Sequence, residues 1–228
     1  MAAMGASRRG RPPNPERARQ RGAEILERAT VLFARRGFQG TDVQVLADAI
    51  GVGKGTIYRY FPSKRALFLA ALDDGMRRLH AQVEAAVQQA ADPLDQIERA
   101  IEAYLAFFDD HAEFVELLIQ ERAVFRNRKM PTYFKHRENN VGRWRERFRE
   151  LIAVGRVRPL PVEQITDVLS ALVYGSMFTN YFAGRQQPLA KQARTLLDVA
   201  LPGILSDAER RRRLAGRHRG GKNKGVSA

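Results

Sequence analysis

Gly51-Val52-Gly53-Lys54-Gly55-Thr56-Ile57-Tyr58-Arg59-Tyr60-Phe61-Pro62-Ser63-Lys64 is the stretch that decides the fold. Gly51 offers the left-handed stop of a preceding helix, and Pro62, lacking an N–H, stops the short helix that starts at Gly53. Ser63 then caps a longer one. Within the short helix Ile57 and Phe61, four residues apart, share a face and are expected to turn inward. The remaining positions are hydrogen-bond donors or cations. Upstream, Thr41-Asp42-Val43-Gln44 fits a capping box and opens another short helix, with Val43, Leu46, Ala47 and Ile50 inward. Further back, Asn14-Pro15-Glu16 reads as a helix start. Ile25, Leu26, Ala29, Leu32 and Phe33 then repeat at helical spacing until Gly37.

A supporting helix followed by two short helices and a tight turn is the layout of a helix-turn-helix, whose second short helix enters the major groove N-terminus first. Lys54, Thr56, Tyr58, Arg59 and Tyr60 can reach phosphates and base edges, while Gly53 and Gly55 let the backbone come close to DNA. The plainer alternative is that the tyrosines cover a small core.

The run Ala29-x-x-Leu32-Phe33-x-x-x-Gly37-Phe38-x-Gly40-Thr41, then Leu46-Ala47, then Gly51 through Leu67, resembles the DNA-binding domain of the tetracycline-repressor (TetR/AcrR) family of bacterial regulators. That resemblance places Thr56, Tyr58 and Tyr60 against bases and phosphates, Gln44 at the base-facing position of the first short helix, and Lys64 on a phosphate; Thr41 is counted with them. Gly53 stands where serine is usual, so one cap bond is missing, and Val45 stands where a polar residue is common. Gly51 to Thr56 also imitates a phosphate-binding loop, but Gly55 follows Lys54 where Ser or Thr is required and Ala49 stands where its glycine should be.

Composition agrees with this reading. The 228 residues carry 39 Lys+Arg against 25 Asp+Glu, a net charge of +14, and 44% are hydrophobic, enough for a folded core. Residues 1–70 hold +8, residues 71–205 balance to zero, and residues 206–228 hold +6. A polyanion is therefore met by the ends of the chain, not its middle. Cysteine is absent, which excludes disulfides, zinc fingers and thiol catalysis. His80, His111, His136 and His218 are too scattered for a metal motif, and Ser176 lacks the flanks of a nucleophile elbow, so no enzyme, metal or cofactor is expected. The apolar stretch 168–184 is too short for a bilayer and carries Ser170, Ser176, Thr179 and Asn180. With no signal-peptide run in residues 1–22, the expected location is the cytoplasm, in association with the nucleoid.

Four segments are expected: a basic disordered arm over 1–14, the helix-turn-helix over 15–62, a helical ligand-binding and dimerisation domain over 63–205, and a basic disordered tail over 206–228. The periodicity continues as helices from Pro93 onward with no competing strand signal, so the fold class is all-α with about nine helices. Helices over 161–184 and 189–201 offer Leu169, Leu172, Val173, Ser176, Met177, Asn180, Tyr181, Leu196, Leu197, Ala200 and Leu201 as a homodimer face. Family resemblance implies a four-helix bundle between two subunits, and two recognition helices about 34–36 Å apart would read a palindromic double-stranded operator.

Resemblance also implies a small, lipophilic effector that releases the operator. The aromatic-rich centre proposes Phe107, His111, Phe114, Leu118, Trp144, Phe148, Tyr174 and Phe178 as its lining, although aromatics at helical spacing are also what a plain core looks like. Residues 71–121 hold −9 and residues 122–149 hold +8. Arg143, Arg145, Arg147 and Arg149 therefore either pair with the acidic helices or rim a pocket for an anionic amphiphile such as a fatty acid. The expected function is thus that of an operator-binding, effector-released repressor. The alternative is an architectural DNA binder without effector control.

Arg8-Arg9-Gly10-Arg11-Pro12 resembles an AT-hook core, with Arg9 and Arg11 suited to a narrow minor groove. A basic tail adding only general phosphate attraction is the other reading. Deleting residues 1–13 is expected to weaken operator binding and flatten its dependence on salt; an unchanged slope in a salt titration would remove the arm from the interface.

Overall fold

A computed structural model of the chain describes residues 15–184 and 188–222, with nothing said of the side chains of 189, 190 and 216–222. Arg9 and Arg11 lie outside the described residues, as does all of the basic arm. Among the described residues there are ten α-helices and no sheet, only a single antiparallel bridge between Val157 and Leu205. The all-α expectation holds, with one helix more than the periodicity suggests. Two compact units divide between Ala71 and Leu72, inside α4.

The first unit contains α1 (Pro15–Gly40), α2 (Val43–Ala49), α3 (Lys54–Tyr60) and the start of α4 (Lys64–Val87). Ile25, Leu26, Ala29 and Phe33 form the inward stripe of α1, with Leu32 only half-buried. At Gly37 the backbone turns to φ 71°, ψ 162°, so the helical path breaks where glycine was expected to stop it. The turn lets Phe38 fold back. Its ring stacks on Phe33 at 6.0 Å, and both meet Phe68 of α4 edge-on, at 5.1 and 5.4 Å. Ser63 caps α4 as expected, its Oγ accepting from the Ala66 N–H at 3.0 Å.

The second unit holds the rest of α4 and α5 (Pro93–Asp110), α6 (Ala112–Val124), α7 (Thr132–Ala153), α8 (Val162–Phe182), α9 (Leu189–Ile204) and α10 (Asp207–Lys222). Asp92 caps α5, accepting from the Leu94 and Asp95 amides at 2.8 and 3.4 Å, with Pro93 in the first turn. Helix α5 packs against α6, α8 and α9, and α8 lies between α7 and α9. Between α6 and α7 the Glu121 carboxylate is almost completely buried. It accepts from the Thr132 N–H at 3.0 Å and its hydroxyl at 2.8 Å, and pairs with Arg128. A buried charge persists only when matched in this way.

Residues 207–222, expected to belong to a disordered tail, are helical instead. Glu209 is 4% exposed and takes two hydrogen bonds from Arg156, at 2.8 and 3.2 Å. Arg156 also binds Asp92 at 2.8 Å, and Arg213 reaches Asp95 at 2.8 Å and Glu98. Of the basic residues read as solvated charge, Arg210 and Arg212 pair within α10, with Asp207 and Glu209, whereas Arg213 reaches α5. Charge counting could not see the Arg213 pairs, because those partners lie more than a hundred residues away.

Close approach, not backbone freedom, explains one glycine. A Cβ at Gly75 of α4 would stand 2.2 Å from Cε1 of Phe114, a ring that is itself buried and stacked on Phe107 at 5.7 Å. Gly75→Ala is expected to destabilise the protein by about 1–3 kcal/mol in urea unfolding, because the boxed-in ring cannot yield. Phe114→Leu in the same background should recover part of the loss.

Candidate nucleic-acid interface and ligand cavity

Helices α2 and α3 are seven residues each and lie against one another, with α2 also against α1. Leu46, Ala47 and Ile57 are at most 1% exposed and hold the pair in place. The inward turn of Ile57 was expected. Its partner Phe61 is half-buried at the C-cap, where its N–H bonds to the Ile57 carbonyl at 2.9 Å.

With Ile57 inward, the opposite face of α3 is free. Gly53, Gly55, Tyr58 and Arg59 are exposed, and Lys54, Thr56 and Tyr60 are half-buried. A Cβ at Gly53 or Gly55 would meet nothing within 4 Å, so both backbones face open space. Lys54 Nζ lies 3.1 Å from Asp42 Oδ1. Gln44 is exposed on α2 and donates through Nε2 to Asp48 at 2.7 Å. Lys64 donates to the Gln39 carbonyl at 3.0 Å and sits 4.9 Å from the centre of the Phe38 ring, which fixes its cation near the head of α4. Tyr60 packs near Gly22 of α1, so its hydroxyl, not its whole ring, is what remains available.

Thr41 departs from expectation. It is 3% exposed and its hydroxyl donates to the Gly37 carbonyl at 2.7 Å. The cap of α2 is the next residue: Asp42 Oδ1 accepts from the Gln44 N–H at 2.9 Å. Those bonds, with Lys54, hold the Asp42 carboxyl below the usual range. Thr41 therefore braces the turn after Gly37 and is not free to touch a ligand.

In the second unit, residues from α4, α5, α7 and α8 enclose a cavity of about 160 Å³. Met76, Leu79, Val83, Val141 and the face of Trp144 give its apolar wall; His80, Tyr104, Tyr133, His136, Arg137 and Arg143 stand among them. Of the eight expected lining residues only Trp144 is here. Tyr174 packs on Tyr133 at 4.5 Å between ring centres, and Phe178 packs on Tyr174 at 4.8 Å. Phe107, Phe114, Leu118 and Phe148 are fully buried core, and His111 lies against Phe107, with Arg78 at 3.2 Å from its Nε2. The turns of α4 that line the cavity, from Met76 to Val83, carry no Phe, Tyr or Trp, so aromatic content does not point to them.

Three of the α7 arginines pair with acids on other helices, Arg143 with Glu84 of α4, Arg137 with Asp167 of α8, and Arg149 with Glu163 of α8 at 3.9 Å, while Arg147 pairs with Glu150 of its own helix. Along α8 and α9 an apolar groove is open. Val168, Leu172 and Val199 are 52%, 40% and 76% exposed, and Ser176, Leu196 and Ala200 line the same groove. Of the residues expected on that face, Leu169, Leu172, Ser176, Asn180, Leu196 and Ala200 line the groove, whereas Val173, Met177, Leu197 and Leu201 are buried within the chain. Among the described residues, no helix is long and apolar enough to cross a membrane, and no three acidic or histidine side chains converge as a metal site requires.

Residues 25–71 match the model of bacterial regulatory proteins of the tetR family. The matched segment runs from α1 through the two short helices to the start of α4. Among curated relatives it is 30% identical over 112 residues to YerO of Bacillus subtilis, an uncharacterised HTH-type transcriptional regulator, covering 48% of the chain and 39% of YerO. To the HTH-type transcriptional activator FasR of Mycolicibacterium smegmatis it is 31% identical over 117 residues, covering 51% of the chain and 52% of FasR. The chain thus spans about half or less of the length of those relatives. The solved structure of the ketosteroid regulator KstR2 of Mycobacterium tuberculosis matches the fold with a TM-score of 0.64 at 24% identity, covering 82% of this chain and 96% of that one.

Replacing Thr41 by Val keeps its shape and removes the bond to Gly37. A loss of about 1 kcal/mol in stability is expected from urea denaturation, with the DNA-facing surface intact.

Proposed function

We propose that the protein is a homodimeric transcriptional repressor that binds a palindromic operator and is released from it by a small effector. One observation carries the proposal: the outward face of α3 presents Lys54, Thr56, Tyr58, Arg59 and Tyr60 around two glycines, while a single apolar residue, Ile57, anchors it. A buried-core role for the tyrosines is disfavoured, since Tyr58 is 37% exposed. In this reading Arg59, Lys54 and Lys64 bind phosphates, Gln44, Thr56 and Tyr58 face base edges, and Gly53 and Gly55 admit the DNA backbone.

The α8/α9 groove supports dimerisation, because an isolated domain gains nothing by leaving Val199 and Val168 in water. A two-fold interface of this kind pairs two recognition helices and squares their selectivity. Helix α4 contributes residues to both activities. It carries Lys64 at its head and Met76, Leu79, His80 and Val83 on the cavity. Repression is what occupancy of a promoter produces by itself. FasR, an activator by name, indicates that the direction depends on where the site lies.

Footprinting on the DNA flanking the protein's own gene is the test. A protected palindrome is expected. Arg59→Ala should weaken binding and reduce the magnitude of the log–log salt slope by about two, one contact being lost in each protomer. Leu172→Glu should leave a monomer that no longer protects the site. Equal affinity for random DNA would favour the architectural alternative.

A further inference from the structure

The cavity against Trp144 has a polarity that the composition of α7 conceals. Four of its lining residues are basic, yet three are already matched by carboxylates standing behind them. Arg143 pairs with Glu84 and also lies 4.9 Å over the Trp144 ring; Arg137 pairs with Asp167; His136 Nε2 is 2.8 Å from Asp73 Oδ1. Burial pushes the Asp73 carboxyl up, but His136 and Arg77 outweigh it and hold it below the ordinary range, so it stays charged. An anion entering here would have to compete with these carboxylates for their cations or remain unmatched beside an apolar wall, whereas a neutral ligand pays neither cost.

What the lining leaves unused is neutral. His80 makes no hydrogen bond among the described residues; burial and the nearby Arg143 depress its pKa, so the imidazole is uncharged at neutral pH. The Tyr104 hydroxyl donates to Tyr133 Oη at 3.1 Å, which leaves the Tyr133 proton without an acceptor. Burial pushes the Tyr133 pKa up to about 12, so that proton is retained. A volume near 160 Å³ suits a molecule of about one six-membered ring.

We propose that this cavity binds a small uncharged molecule, about one ring in size, whose carbonyl or similar acceptor takes hydrogen bonds from Tyr133 and His80, and that it discriminates against carboxylates. This rests on the effector-site reading above and specifies its ligand class. Polar selectivity comes from one or two unmatched neutral groups, while the apolar wall of Met76, Leu79, Val83 and Trp144 supplies the contact area. A fatty-acid head group, the alternative suggested by the arginine run, finds its cations taken.

Trp144 is the only tryptophan in the chain, so its fluorescence reports on the cavity alone. The full-length protein is titrated to millimolar concentrations with two isosteres, uncharged benzamide and anionic benzoate, first free and then bound to its operator fragment. Benzamide should change the emission saturably and bind at least roughly tenfold tighter than benzoate. Tyr133→Phe, which keeps the ring, should weaken benzamide by roughly tenfold, and His80→Leu should weaken it independently. Tighter binding of benzoate, or no saturable response to benzamide, overturns the proposal. Benzamide binding that leaves operator affinity unchanged would keep the ligand class and reject the effector reading. Benzoate preference with operator release would do the reverse.

Discussion

A helix of seven residues does not hold itself together in water, because nucleation costs more than so few hydrogen bonds return. Both α2 and α3 have that length, so the surface they present exists only while Leu46, Ala47 and Ile57 stay locked in the first unit. This dependence divides the labour of the residues. Inward positions are small in number and wholly apolar, and every donor of α3 is released to the other face. The ring cluster of Phe33, Phe38 and Phe68 extends the same lock to the head of α4, where Phe38 also lies under the Lys64 cation. Gly37 permits this, since only a backbone at φ 71° brings Phe38 back onto Phe33.

How much of this could be read beforehand follows the range of the interactions involved. The helix-turn-helix was legible nearly residue by residue, because stops at Gly37, Gly51 and Pro62, the cap at Ser63 and the inward Ile57 are all decided within a few positions. The error at Thr41 is of the same range. Two adjacent residues could each have capped α2, and the side chain that bonds back to Gly37 is lost to that role. On α8 the expected face was only partly the open one, since Leu172 and Ser176 line the groove while Val173 and Met177 turn inward. A helix apolar nearly all round gives no phase, so which stripe faces α9 and which is left open is settled only by the neighbours.

The cavity was the least legible part, and for a physical reason. Its wall is assembled from α4, α5, α7 and α8, and the residues that matter are short-range strangers: His80 and Tyr133 are separated by more than fifty positions. Aromatic content pointed to Phe107, Phe114 and Phe148, which fill space so completely that no ligand could reach them. Cavities are left where side chains fail to fill, and a composition search finds the opposite.

Charge shows the same difference between amount and placement. Segment totals of −9 and +8 in the middle of the chain suggested two opposed faces, but Glu84 with Arg143 and Glu121 with Arg128 pair across them, while other partners come from farther along: Asp167 for Arg137, Arg156 for Asp92, and Arg213 for Asp95 and Glu98. Many of these pairs are half in water, where each adds little stability. Their larger effect is on what remains. Once cations are matched from behind, the field inside the second unit is set by groups with no formal charge, and selectivity there turns on hydrogen bonds. The first unit is different, because its exposed Arg59 has no carboxylate within ion-pair distance among the described residues. One chain thus keeps its long-range positive field where a polyanion would be met, and cancels it where a small molecule would enter.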